Sequence, residues 1–515
     1  MGLCWMSSQN AFIDNEIQDL MPSSSCVYMR QMWSPPISLG QAQLSEIARR
    51  GVPVPTYDRS RLARRIVHVG VGGFHRAHLA LYAHELASDG GDWGIVGLGL
   101  LEQDGAMAAA LDAQDHLYTL IEKGNGAPSA AVIGSLVGYV HAPGDNSAVA
   151  DLVASPATSI LSLTITEAGY VEPSREQIAS GAGATFDRIA AALAVRRERG
   201  GAPLTILSCD NLPGNGDAAR RATLAAAERA DAVLPVWIQE NCTFPNSMVD
   251  RITPVTADAD REWLREATGI DDRWPVVAEP FRQWVMEDDF AGGRPAWDAV
   301  GALFTDRIHD WELYKLRLLN AGHSCIAYLS ALAGIAFVHE AMATPVIRTF
   351  LEDVLQREAM PTLVEIPGHP REEYIASVLE RFANTGVRDQ IARLCIDGSA
   401  KFPSFLMPTV ARQLERNGPV ERAATALAGW ARYLAAVDPA HQAFDSSGEV
   451  ARHHAERAVA DPVAFLDFGT VFPPAVQASE RFRSAFAAAY RRIAESGPIA
   501  AMQSDLEREH TGETR

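Results

Sequence analysis

The run Ile66-Val67-His68-Val69 leads directly into Gly70-Val71-Gly72-Gly73-Phe74, and a helical pattern from His75 to Ser88 follows at once. A short β-branched stretch, a glycine-rich turn and a helix in immediate succession open a βαβ unit, whose second strand must lie parallel to the first. Glycine suits such a turn because a backbone without Cβ bends tightly and can approach a pyrophosphate, whose charge then meets free N–H groups at the helix start. A complete dinucleotide fingerprint would place glycine at position 75, where this chain has His75. Taken alone, the turn is also compatible with a tight strand-to-helix connection that binds nothing. An acidic residue past the second strand strengthens the nucleotide reading. Glu102 follows the apolar run 93–100, and its carboxylate could accept both ribose hydroxyls. The gap from Gly70 exceeds the usual ~20 residues, and an exposed loop glutamate is the competing explanation. A carboxylate there would repel a 2′-phosphate and favour NAD over NADP.

Strand and helix patterns continue to alternate to about residue 254. Strands are expected over 93–98, 160–166 and 204–207, with Phe186, Ile189, Ala190 and Leu193 at helical spacing before Gly200-Gly201. This predicts a doubly wound α/β domain over residues 46–300. From Trp311 onward the helical patterns 313–333, 373–384 and 421–437 follow one another without an alternating strand, which predicts an all-α domain over 301–515. Met1, Met6, Met21, Met29 and Met32 fall in an opening stretch with no periodicity. Residues 1–45 are therefore expected to form a poorly ordered extension, or to follow from an over-early start codon.

The 515 residues are 47% hydrophobic, too apolar for a disordered chain, and carry a net charge of −19 without a Lys/Arg cluster, which argues against nucleic acid as a partner. With no apolar run of about 18 residues, a membrane span is excluded and a soluble protein is expected. The six cysteines include no Cys-x-x-Cys pair, so they read as reduced thiols rather than zinc ligands or a disulfide framework. Asp14, Glu16 and Asp19 precede the first basic residue, Arg30, which is not the pattern of an export signal; a cytoplasmic location is expected.

The segment Trp311-Glu312-Leu313-Tyr314-Lys315-Leu316-Arg317-Leu318-Leu319-Asn320-Ala321-Gly322-His323 carries the most chemistry. On an ideal helix, at about 100° per residue, Glu312, Lys315, Asn320 and His323 fall within one arc of roughly 140°, which also holds Leu316 and Leu319. Polar groups sharing a face with leucines point to a partly buried cluster, and Gly322 inside a helix costs about 1 kcal/mol relative to alanine, so it needs a packing or access reason. A desolvated lysine can act as a base near neutral pH, and asparagine supplies neutral N–H donors to an oxyanion. Gly322-His323-Ser324-Cys325-Ile326 is not a nucleophile elbow, because Ile326 stands where glycine belongs. His339-Glu340-Ala341-Met342-Ala343 lacks the second histidine of a zinc-protease motif. Ser208-Cys209-Asp210-Asn211 ends a predicted strand, where open α/β sheets bind ligands, although Asp, Asn, Pro and Gly are also ordinary turn residues.

Six motifs, in order, resemble the polyol-specific long-chain dehydrogenases, the mannitol 2-dehydrogenase family: residues 66–78 (IVHVGVGGFHRAH), 164–170 (TITEAGY), 208–216 (SCDNLPGNG), 244–254 (FPNSMVDRITP), 279–290 (EPFRQWVMEDDF) and 315–323 (KLRLLNAGH). The resemblance implies a metal-independent, monomeric enzyme with a Rossmann-type N-terminal domain, an all-α C-terminal domain and an active site between them. It implies NAD-linked oxidation of D-mannitol to D-fructose, with fructuronate reduction or arabinitol or sorbitol oxidation as alternatives. An inactive NAD-binding sensor or scaffold is the alternative of another class. By the same resemblance Lys315 is the general base, Asn211 and Asn320 bind the oxyanion, His323 orients the substrate and Glu312 gates proton exchange. Asp250, Arg393 and Lys401 contact the substrate. Gly70, Val71, Gly72, Gly73, Phe74, His75 and Glu102 hold the coenzyme.

Overall fold

The computed structural model describes residues 35–171 and 185–510. They fall into two compact units that meet in sequence between Thr305 and Asp306, with residues 124–126 assigned to the second.

The first unit is built on six parallel strands: β1 (Arg64–Val69), β2 (Trp93–Gly99), β3 (Leu136–His141), β4 (Thr158–Leu163), β5 (Leu204–Ser208) and β6 (Cys242–Thr243). They lie in the order β3-β2-β1-β4-β5-β6. Side chains alternate between the two faces, and both faces are covered. Ile66, Ile95, Ile160 and Leu207 enter one core, whereas Val67, Val69, Val96, Leu98, Leu161, Leu163 and Ile206 enter the other. This is the Rossmann strand order, and its direction of growth reverses between β1 and β4, where such sheets bind ligands beyond the carboxyl ends of the strands.

Three local expectations change. The helix foreseen from His75 to Ser88 is two helices, α1 (Gly73–Ala77) and α2 (Leu79–Ser88), broken at His78, whose backbone leaves the helical region (φ −120°, ψ −90°). Strand β3 was not foreseen; it is an edge strand, buried only at Leu136, so its sequence lacks the apolar run of a central strand. Residues 35–45, assigned to a poorly ordered extension, instead begin the fold. Ile37–Ser38 pairs in parallel with Ile270–Asp271, and Leu39 and Leu44 are buried beside Ile270. Residues 1–34 of that assignment lie outside the described residues. Two three-stranded sheets complete this unit; one contains the antiparallel pair β7 (Ser247–Asp250) and β8 (Gln283–Met286).

The second unit is helical, and its elements include α3 (Ile308–Tyr314), α4 (Ala321–Leu332), α5 (Arg371–Phe382), α6 (Gly398–Phe405), α7 (Glu421–Ala436) and α8 (Glu480–His510). The Ala-rich helix α7 is almost wholly enclosed: alanines at 423, 424, 426, 428 and 431 allow close approach, while Trp430 packs on Phe402 and Phe465. Among the described residues no helix is long and apolar enough to cross a membrane, and Cys209, Cys242, Cys325 and Cys395 are free and buried.

Candidate active site

At the reversal point Gly70 has φ +85°, and a Cβ on it would lie 2.1 Å from the carbonyl oxygen of Thr164. Thr164 stitches the two strand ends together: its N–H donates to the Val69 carbonyl (3.0 Å) and its Oγ1 donates to the Gly70 carbonyl (2.6 Å). No side chain other than hydrogen fits position 70 without moving β4. Gly72 is exposed and stands as N-cap of α1 with no side-chain cap, and a Cβ on it would meet nothing closer than the Gly70 carbonyl at 3.8 Å. A backbone turn with uncapped N–H groups and open space above it fits a pyrophosphate. Glu102 is exposed in the turn that follows β2, at the carboxyl end of the sheet.

Two residues of the glycine motif face inward instead. Val71 is buried in the sheet core. His75 is fully enclosed, stacked on His68 with centroids 3.6 Å apart, and burial holds it well below the ordinary histidine pKa. The side chains of Val71 and His75 therefore pack beneath the turn. Phe74 is half-buried and stacks on His78.

Asn211 is exposed immediately beyond β5. The strand end before it is pinned by a network that sequence reasoning did not single out. Asp210 Oδ1 accepts from the Thr166 N–H (2.7 Å), Oδ2 accepts from the Tyr170 hydroxyl (2.7 Å), and burial raises the Asp210 carboxyl above its ordinary pKa. Tyr170 and Asp210 both lie in motifs quoted above, so the signal was present. Asp250 is buried at the end of β7, opposite Gln283. It stands on the antiparallel pair, apart from the parallel sheet that carries the glycine turn, Glu102 and Asn211.

In the helical unit Glu312, Lys315, Asn320 and His323 share one continuous helix, but it is not uniform. Residues Lys315–Asn320 form a π-helical segment between α3 and α4. On an α-ladder residues five apart diverge by about 140°, so Lys315 and Asn320 would sit at opposite edges of the polar arc. With i→i+5 bonds, residues five apart come nearly into line, and π-turns of this kind concentrate at functional sites. The ideal-helix reading is corrected in that respect. Lys315 and Glu312 are 9% and 7% exposed, which places both in a largely dry setting, and His309 Nδ1, on the exposed side, lies 3.5 Å from Glu312 Oε2.

His323 feels the field of three cations. Burial holds it well below the ordinary histidine pKa, and Arg393, Arg381 and Lys401 push in the same direction. Arg393 is held by Asp389 through Nε–Oδ1 (2.7 Å) and Nη2–Oδ2 (2.5 Å) bonds. Lys401 Nζ donates to the Leu394 carbonyl (3.3 Å), and burial, reinforced by Arg393, lowers its pKa. Arg393 and Lys401 act on His323 through their charge, as does Arg381, and Phe382, not foreseen, is stacked on its ring. Arg381 and Phe382 sit at the end of α5, whose 3.6-residue periodicity marks them only as part of a helix. Among the described residues no three His, Cys, Asp or Glu side chains are grouped as a metal would require.

Residues 64–299 match the Rossmann domain of mannitol dehydrogenase, and residues 307–494 match the mannitol dehydrogenase C-terminal domain. The mannitol 2-dehydrogenase of Aspergillus terreus is 40% identical over 498 residues, covering 91% of this chain and 99% of the relative. Mannitol dehydrogenase 2 of Saccharomyces cerevisiae is 39% identical over 477 residues, covering 88% and 95%. Among solved structures, Pseudomonas fluorescens mannitol 2-dehydrogenase, in ternary complex with NAD and D-mannitol, is similar with a TM-score of 0.82 at 37% identity, covering 92% of this chain and 100% of that one. A substrate-free D-sorbitol dehydrogenase has a TM-score of 0.83 at 34% identity, covering 90% and 100%. On both halves and nearly its whole described length, the chain belongs to the mannitol dehydrogenase family.

Proposed function

We propose that this protein is an NAD-dependent polyol dehydrogenase that interconverts D-mannitol and D-fructose. The observation that carries the reading is the Lys315–Asn320 π-segment with His323 one turn beyond it, in a chain about 40% identical to mannitol 2-dehydrogenases. The solved relative with NAD and D-mannitol supports coenzyme and substrate together. Gly70, Val71, Gly72, Gly73, Phe74 and His75 would hold NAD, with Glu102 on the ribose, and the bound coenzyme would accept the hydride.

The chain's own residues do the rest. Lys315, largely withdrawn from water, takes the proton of the reacting hydroxyl. Asn211 and Asn320 donate N–H bonds to the developing alkoxide, each worth on the order of 3 kcal/mol in the transition state. His323 is neutral and orients a neighbouring substrate hydroxyl, and its buried Nε2 has no protein hydrogen-bond partner. Asp250, Arg393 and Lys401 contact the remaining hydroxyls, and Glu312, next to the exposed His309, passes the proton outward. Lys315→Ala should lower turnover by at least ~10³ while NAD still binds. Stopped-flow turnover together with coenzyme titration measures both, and near-normal turnover would remove Lys315 from the mechanism. An NADH assay across mannitol, sorbitol, arabinitol and fructuronate ranks the substrates.

A further inference from the structure

An imidazole that must present one nitrogen to a substrate needs its plane fixed, and a hydrogen bond at the other nitrogen commonly does this. At His323 an aromatic face does it. The ring of Phe382 lies parallel to the imidazole, with centroids 3.8 Å apart and planes 5° from parallel. Phe382 is itself 2% exposed, fixed at the end of α5 against the helix that carries Lys315 and Asn320. Phe382 also packs beside Gly322, where a Cβ would lie 3.5 Å from Phe382 Cε2 and 3.4 and 3.6 Å from Leu351 and Leu355, ordinary van der Waals distances.

We propose that Phe382 is a positioning residue for His323: its ring face sets the plane of the imidazole and so aims Nε2 at a substrate hydroxyl. The inference rests on the reading of His323 as a substrate-orienting group. The stack covers one face of the ring, and Arg381, Arg393 and Lys401, contributed by α5, the Ile391–Leu394 turn of helix and α6, add a positive field at it. All of these favour an uncharged imidazole that exchanges hydrogen bonds with a hydroxyl rather than forming an ion pair.

The test is a double-mutant cycle in the full-length enzyme at saturating NAD. Phe382→Leu should raise the polyol KM about tenfold, change kcat less than about threefold and leave the coenzyme Kd unchanged. Phe382→Met, which fills the volume without a ring face, should behave alike and carries the measurement if the leucine variant does not fold. In a His323→Asn background neither substitution should add a further penalty, because the group being positioned is gone. A wild-type KM in both Phe382 variants, or a penalty that multiplies with that of His323→Asn, overturns the proposal. Wild-type kinetics in His323→Asn would overturn the reading of the site itself.

Discussion

Glu102 is a single carboxylate on an exposed turn, and in the proposed mechanism it decides between two coenzymes that differ by one phosphate. A negative charge beside the ribose accepts the hydroxyls of NAD and repels the dianion of NADP. Glu102→Lys reverses that charge. The ratio of kcat/KM for NADP to that for NAD should rise by about tenfold or more, since a near-surface charge pair is worth about 1–4 kcal/mol at contact. Steady-state assays with both coenzymes measure the ratio, and an unchanged ratio would mean that another residue reads the ribose. Gly70 and Gly72 show how two glycines of one motif can differ. Gly70 is fixed by backbone geometry, with φ +85° and the Thr164 carbonyl in the place of a Cβ; Gly72 is fixed by nothing in the protein and leaves open space. The sequence pattern marks them alike, because it does not show which strand end lies opposite.

Among the elements, the helix from Ile308 to Leu332 shows the limit of periodicity. Its length, polar face and catalytic candidates are legible at 3.6 residues per turn, but the π-segment is not, because no residue in Lys-Leu-Arg-Leu-Leu-Asn is a helix breaker. A second π-segment, Val354–Ala359, buries Glu358 at the N-terminus of α7. Glu358 accepts from the backbone N–H groups of Arg422 (2.8 Å) and Ala423 (2.9 Å), yet burial outweighs these bonds and pushes its pKa up to about 7. A folded-state pKa above the unfolded value means that the folded protein holds the proton more tightly. Its contribution to stability is complete below the ordinary glutamate range and is lost as pH rises through about 7, a change on the order of 3 kcal/mol. Denaturant unfolding across pH 4.5–8 in the wild type and in Glu358→Gln checks this. The glutamine variant should lose that part of the pH dependence, and identical slopes would assign it to other groups.

For the whole molecule, the net charge of −19 bears on the substrate rather than on any acidic-tail partner. A neutral polyol approaches without electrostatic work, whereas an anionic hexuronate must cross a repulsive field that salt screens over about 10 Å at 0.1 M. At saturating coenzyme, kcat/KM for mannitol should be flat between low salt and 0.15 M NaCl, and that for fructuronate should rise. A fall in the fructuronate value with added salt would show that the Arg393 and Lys401 cations dominate the approach instead. The sequence by itself determined the parallel α/β half, the helical half and the glycine turn, because these are local signals of spacing, periodicity and residue type. Only the tertiary structure decided that β3 closes the sheet edge, that residues 37–38 pair with residues 270–271, that the His75 ring stacks on His68 and that Phe382 faces His323. Each of these depends on a contact between segments distant in the chain or on the side of an element a residue faces. A local pattern carries no record of either until the chain has folded.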